Sequence, residues 1–417
     1  MSLMGLVVFP SFFLCFLVLA YAPHPAHASS RALNVKNDVV GDPPGQGLCA
    51  STVIAHGYKC QEFDVTTKDG FILSLQRIPA GRAENKGAGS TKKQPVIIQH
   101  GVMVDGMIWF LNGPEQNLPF ILADCGFDVW IVNTRGTRYS RRHISRDPSS
   151  QEFWDWCFDD LSAYELPAIF DFVYNQTGQK INYVGHSMGT LMAFTAFSEK
   201  KLMNQVKSAA LLSPIAFLSH MKTVLGDVAA KSLLTEAFTL LRIPEFDPVR
   251  LPPIKEFVKS LCNSPGADCG DILSAVTGPN CCLPPSPVDI LMSHGQPQPT
   301  STKTLGHLAQ IVRYRNLAKF NYQGPSTNME HYGSIFPPVY NLTNIPRDLP
   351  LFLSYGGQDA LADVEDVQNL IDRLKSHDAN KLNVQFIKDY AHADYVMAVN
   401  AKERVYNDVV SFFKRQV

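Results

Sequence analysis

The sequence predicts an α/β protein with a mostly parallel central sheet, helices on both faces and an inserted cap. Three observations predict it. Short, continuous apolar runs alternate with segments of helical periodicity. A Gly-x-Ser-x-Gly pentapeptide sits between one such run and one such helix. And the strand-helix rhythm stops between Ser213 and about Tyr340, a stretch too long for a simple loop, before it resumes.

In chain order, the first 30 residues carry no charge, and Arg31 is the first charged side chain. Leu6 to Ala22 is apolar, and Ala26-His27-Ala28 offers a small-x-small cleavage site, so residues 1–28 read as a secretory signal peptide. The rival reading is an uncleaved anchor, which Pro10 would interrupt. If the signal is cleaved, no permanent membrane span is expected. Residues 29–57 form an irregular arm. Glu62–Thr67 and Phe71–Arg77 alternate around Lys68-Asp69-Gly70, the pattern of a hairpin. Val96–Ile98, Val129–Val132, Tyr183-Val184, Ala209–Leu212, Leu351–Tyr355 and Val384–Ile387 are the expected buried strands. Asp159–Tyr174, Leu191–Phe197 and Glu403–Lys414 are the expected helices. The division that follows is a core of residues 29–212 and 341–417 and a cap of residues 213–340, with an apolar helix near Leu225–Leu241 as lid or cap packing.

Composition narrows the function classes. Hydrophobic residues make up 45% and charged residues 18% of the 417, and the formal net charge is −1. That balance fits a large soluble enzyme domain and gives no long-range attraction for nucleic acid. Cys15 would leave with the signal, and the eight other cysteines are an even number suited to disulfides in an oxidising compartment. Zinc is the rival reading for the four between Cys262 and Cys282, but they lack paired C-x2-C spacing. Asn175-Gln176-Thr177 and Asn341-Leu342-Thr343 are N-glycosylation sequons.

The chemistry centres on Gly185-His186-Ser187-Met188-Gly189. On composition alone the pattern is weak, but it follows Tyr183-Val184 and precedes a helix, the setting of a nucleophile elbow. There the serine sits on a strained turn, and Gly185 and Gly189 let strand and helix approach. Acyl transfer also needs two N–H donors for the oxyanion. Met188, after the nucleophile, supplies one, and Val102, in His100-Gly101-Val102 after the first buried strand, supplies the other. The acid and base must follow the serine in this arrangement. Asp359 leaves the end of Leu351–Tyr355, with Asp363 as runner-up. His392 follows the last strand, with His377 and His331 as the weaker late histidines. His392 would be the general base and Asp359 its orienting acid. This chemistry requires no metal and no cofactor.

Two further features are open. The basic run Arg135, Arg138, Arg141, Arg142, His143 and Arg146 suggests an anion site, or charges paired with Glu152, Asp155, Asp159 and Asp160 nearby. Met103, Met107, Ile108, Trp109 and Phe110 line an acyl pocket or belong to the core.

At this point the chain resembles the acid lipases, the family of gastric, lysosomal and plant triacylglycerol lipases. His100-Gly101-Val102, Asn133-Thr134-Arg135-Gly136, Phe153-Trp154, Gly185 to Thr190, Gly356 to Asp359 and Tyr390-Ala391-His392 occur in the family's order. Met188 and Thr190 look closer to the plant members, and Val102 stands where gastric and lysosomal members usually have Leu. The resemblance implies an α/β-hydrolase fold and hydrolysis of triacylglycerols or sterol esters at a lipid–water interface. It also implies Ser187, Asp359 and His392 as triad, Val102 and Met188 as oxyanion donors, and a lipase cap. A soluble carboxylesterase for small esters is the alternative, and a non-catalytic lipid-binding protein on the same fold the third reading. The secretory route leads outside the cell or to a vacuolar or lysosomal compartment.

Overall fold

A computed structural model describes residues 47–86, 92–223, 243–250 and 269–416. The leader, Cys262 and the helix expected near Leu225–Leu241 lie outside the described residues. The strands are β1 (Gln61–Thr66), β2 (Phe71–Ile78), β3 (Gln94–Gln99), β4 (Phe127–Val132), β5 (Arg142–His143), β6 (Ile181–His186), β7 (Val206–Leu212), β8 (Glu245–Phe246), β9 (Thr300–Ser301), β10 (Leu351–Gly356) and β11 (Leu382–Ile387). The main sheet runs β1-β2-β4-β3-β6-β7-β10-β11, with β5 paired to β2.

β1 and β2 form the expected hairpin, Gln61 opposite Arg77 and Thr66 opposite Ile72. β2 meets β4 antiparallel, and every contact from β4 to β11 is parallel. The apolar runs of β3, β4, β6, β7 and β10 are buried on both faces for this reason, whereas β11 is the edge strand and, contrary to expectation, leaves Val384 and Phe386 exposed. Alternation splits them between two cores. Ile97, Trp130, Tyr183, Leu211 and Leu353 face one side, while Val96, Ile98, Val129, Ile131, Val184, Leu212 and Phe352 face the other. The first core is covered by α2 (Leu166–Thr177), α3 (Met188–Ser198) and α4 (Val364–Arg373). The second is covered by α1 (Leu118–Asp124) and α5 (Asn407–Lys414). Met107, Ile108, Trp109 and Phe110 are buried in this second core, and Met103 is half-buried. Residues 213–350 enter after β7 and leave before β10. Among the described residues, no helix is long and apolar enough to cross a membrane.

The basic run is paired, but not with the acids its spacing suggested. Arg135 donates from Nε to Glu165 at 2.6 Å and from Nη1 to Asp69 at 2.6 Å. Arg138 binds Asp105, Arg141 binds Glu245 and Arg142 binds Asp64. Of the expected acids, Glu152 receives Arg146 only through its backbone carbonyl. Asp155 binds Lys303, Asp159 accepts from the Tyr340 hydroxyl, and Asp160 caps the Cys157 N–H. The two stretches do meet, with Arg141 4.8 Å over the Trp154 ring, but the carboxylates that pair with Arg135, Arg138, Arg141 and Arg142 come from other segments.

Among the described residues, two disulfides join Cys49 to Cys60 and Cys281 to its neighbour Cys282. Cys125 and Cys157 are free thiols. The expectation of disulfides holds for the four bonded cysteines, while Cys125 and Cys157 stay outside the pairing. Burial in the apolar core, next to Phe158, keeps the Cys157 thiol well above its ordinary pKa and inert.

Arg135 is wholly buried beneath the sheet's hairpin, its guanidinium 3.9 Å from the Phe71 ring centroid. Burial works against its charge, and Glu165 and Asp69 more than offset that, so its pKa is raised. Substituting Arg135→Met would leave Glu165 desolvated without a cation. Urea unfolding should register a loss of about 3–5 kcal/mol. A loss under about 1 kcal/mol would mean that Glu165 accepts a proton without strain.

Candidate active site

β6 ends in His186, and Ser187 then turns the chain with φ 55° and ψ −122° before α3 begins at Met188. A serine at positive φ is strained by roughly 1–3 kcal/mol. Surrounding bonds enforce it. Ser187 N–H donates to the Leu212 carbonyl on β7 at 3.2 Å, and the Ser187 carbonyl accepts from Thr190 N–H at 2.9 Å and Thr190 Oγ1 at 2.7 Å. Tyr183 O–H donates to the Gly189 carbonyl at 2.7 Å. The two elbow glycines answer to space. A Cβ on Gly185 would lie 2.9 Å from the Gly189 carbonyl, and one on Gly189 would lie 2.8 Å from the Gln99 carbonyl.

The loop leaving β3 reaches the same place. A Cβ on Gly101 would lie 2.9 Å from Ser187 Cβ and 3.3 Å from its Oγ. Val102 follows, half-buried against the first core. His100 steers this loop. Its Nε2 accepts from Thr134 N–H at 3.0 Å, so Nδ1 carries the proton and donates to the Gly101 carbonyl at 2.7 Å. Burial keeps this imidazole neutral and its pKa lowered.

The late pair is in contact. His392 Nδ1 lies 3.1 and 3.0 Å from the two carboxylate oxygens of Asp359. Asp359 also accepts from Ser213 O–H at 2.6 Å and from the N–H groups of Leu361 and Ala362 at 2.9 and 2.8 Å. Burial pushes its pKa up, but the imidazole and these donors outweigh it, and the carboxyl is held below its ordinary value. Asp359 is thus an acceptor-only anion facing a ring N–H. The other late candidates are engaged elsewhere. Asp363 caps α4 through Glu365 N–H and binds Lys222. His377 reaches the Leu349 carbonyl, and His331 stacks on Tyr322.

His186 joins the two halves. Its Nε2 donates to the His392 carbonyl at 3.1 Å, and the two rings are 4.9 Å apart. Nδ1 is then a buried lone pair without a partner among the described residues. Burial first, then the neighbouring His392, push its pKa down to about 3. The serine, the imidazole and the carboxylate leave the C-terminal ends of parallel strands, the side of an α/β sheet where sites form. Sequence reasoning quoted His100 and His186 within motifs without giving them a task, and it passed over Ser213. Only Ser213's position at the end of a buried strand could have drawn attention to it.

A parallel sheet in this order, a serine on a forced turn after one strand and an imidazole–carboxylate pair in the loops after the last two strands are the features of the α/β-hydrolases. Residues 94–397 match the α/β hydrolase fold family, and residues 49–113 match a partial α/β-hydrolase lipase region. The chain is 55% identical to triacylglycerol lipase 2 of Arabidopsis thaliana over 91% of both chains. It is 38% identical to triacylglycerol lipase 1 of the same plant, over 90% of this chain and 92% of the relative. It is 35% identical to human gastric triacylglycerol lipase, over 85% and 88%. The chain belongs to this acid lipase family of plant and gastric triacylglycerol lipases. Among solved structures, a monoglyceride lipase from Saccharomyces cerevisiae shares the fold, with a TM-score of 0.52 at 15% identity, over 87% of this chain and 96% of the other.

Two outcomes follow from this geometry. Gly101→Ala should leave the fold intact yet cut ester turnover by about 100-fold, because Cβ displaces either the loop or Ser187. Circular dichroism beside an ester assay measures both, and full turnover would mean the loop yields freely. The second concerns pH. Because His186 in the fold titrates near 3 and the unfolded side chain near 6.5, the unfolded state binds the extra proton between those values. Its contribution is therefore full above about 6.5 and shrinks as pH falls toward 3. Glu165 and Asp394 act in the opposite sense, so the comparison is with His186→Gln. The stability lost between pH 7 and 4.5 should be smaller in that variant by roughly 2 kcal/mol. Equal losses would place the His186 proton elsewhere.

Proposed function

We propose that the protein hydrolyses long-chain acylglycerol esters through an acyl-enzyme, with Ser187 as nucleophile, His392 as general base and acid, and Asp359 as the orienting carboxylate. The observation that carries this reading is the His392 Nδ1–Asp359 pair set behind a serine on a forced turn. His392 Nδ1 faces an anion that only accepts, so Nδ1 holds its proton and Nε2 keeps a lone pair for the serine. Ser187 Oγ attacks the ester carbonyl while Nε2 takes its proton. The carbonyl oxygen becomes an oxyanion, and the N–H groups of Val102 and Met188 stabilise it. Collapse expels the alcohol, which takes the proton from the imidazolium. Water then repeats the sequence on the acyl-enzyme, releasing the fatty acid and restoring the serine.

In this reading the region inserted after β7 is the lipase cap that admits substrate at a lipid–water interface, and its described part reaches the loops of Asp359 and His392 through the Thr277 carbonyl. The triacylglycerol lipases at 55% and 38% identity support the substrate class. A secretory destination, outside the cell or in a vacuolar or lysosomal compartment, is supported by the Cys49–Cys60 and Cys281–Cys282 disulfides. Asn175 and Asn341 are exposed, as glycan acceptors must be.

Fatty-acid release from emulsified long-chain triacylglycerol by the wild type, abolished in Ser187→Ala, is the expected result. Turnover of soluble short esters but not of the emulsion would make the protein a carboxylesterase. Equal release by wild type and variant would remove Ser187 from the mechanism.

A further inference from the structure

Asp394 lies two residues beyond His392, wholly buried, at the start of the short helix α6 (Asp394–Met397). Its carboxylate does not serve its own helix. It accepts from Ala391 N–H at 2.7 Å, from Cys281 N–H at 3.2 Å and from Cys282 N–H at 3.2 Å. Ala391 immediately precedes His392, whereas the two cysteines belong to the inserted region. The disulfide between these adjacent cysteines encloses the peptide that joins them in a small covalent ring. Their N–H groups thus present one stiff, two-pronged donor to a single carboxylate.

The same strap is tied to both late loops by backbone bonds. The Thr277 carbonyl accepts from His392 N–H at 3.0 Å and from Ala360 N–H, one residue beyond Asp359, at 3.3 Å. The Cys282 carbonyl accepts from Val399 N–H at 2.9 Å, just past α6. Residues 277–282 therefore brace the base loop on both sides of His392 and hold it against the acid turn. A buried carboxylate that only completed the core would not need donors from two segments more than 100 positions apart in sequence, 113 for Cys281.

We infer that Asp394 is a positioning residue for His392, and that the Cys281–Cys282 strap is the fixed abutment against which it works. This rests on the triad reading above. Without the carboxylate, the base loop keeps its backbone bonds to Thr277 and Cys282 but loses its side-chain bridge to the two cysteine N–H groups, and the imidazole drifts from Ser187. A misplacement of this kind lowers kcat with little change in KM.

The test compares kcat and KM on p-nitrophenyl butyrate for the wild type, Asp394→Asn, the double variant Cys281→Ser/Cys282→Ser, and Asp128→Asn, each with a thermal midpoint. Asp128 is an equally buried aspartate, but it binds Arg77 within the sheet. The expected result is a kcat about 10- to 100-fold lower in Asp394→Asn with KM changed by under about twofold. The double cysteine variant should lose kcat in the same manner by about 3- to 10-fold, while Asp128→Asn keeps its kcat and loses only thermal stability. Unchanged kcat in Asp394→Asn, or the same kcat loss in Asp128→Asn, overturns the inference. If Asp394→Asn does not fold, the double cysteine variant decides, and an unchanged kcat there overturns it. Failure of the triad reading would show separately, as ester turnover that survives Ser187→Ala.

Discussion

Everything at this site follows from three backbones meeting closely at Ser187. The end of β6, the start of α3 and the loop after β3 approach to distances at which a single Cβ would collide with a carbonyl oxygen or with the serine itself. Such crowding is possible only with Gly101, Gly185 and Gly189 at the contact. In return the serine is driven into a conformation that its own backbone disfavours, and tertiary bonds from β7 and Thr190 keep it there. The turn cannot relax without lifting α3 from the sheet, and α3 is buried along its whole length. The strain is therefore stored at low risk to the fold.

Charge is distributed around this turn with a consistent asymmetry. The histidines flanking it, His100 and His186, are buried, and burial outweighs the pull of Asp105 on the first and Asp359 on the second, so both are held neutral. Asp359 is buried with four donors and is held ionised. A neutral His186 donates one hydrogen bond and adds no positive charge beside His392. The arrangement sets one imidazole–carboxylate pair, His392 with Asp359, beside this turn, the pair to which the proposed mechanism gives the general-base role. Farther out, Arg135 between Glu165 and Asp69 is a separate ionic cluster that ties the β1–β2 hairpin to α2.

The parallel core was readable because its inner strands, β4 to β10 in sheet order, are buried on both faces, and such strands are written as unbroken apolar runs; only the edge strand β11 departs from this, with Val384 and Phe386 exposed. Each run expected from Val96 to Ile387 falls inside a strand. The candidate serine, acid and base were readable because each leaves the end of one of those runs. What could not be read is whatever depends on long-range backbone bonding. The basic run was matched to acids near in sequence, whereas Arg138 and Arg141 reach Asp105 and Glu245. Asp394 and Thr277 act on N–H groups, which every residue type except proline carries, so composition gives no hint of them. The cysteine count was similarly silent on Cys125 and Cys157, whose burial or isolation is a property of the fold.

The pairing of β10 and β11 beside β7 has a consequence for assembly. His186 and His392 touch across a separation of 206 positions, with the whole inserted region between them. Closing so long a loop is entropically costly and slow, and it precedes any reward from the contacts it permits. The reactive constellation is then among the last features to form on a newly made chain. Until the final two strands dock, the loop that carries His392 has no place beside the turn of Ser187, and the chemistry proposed for the pair waits on the topology of the sheet.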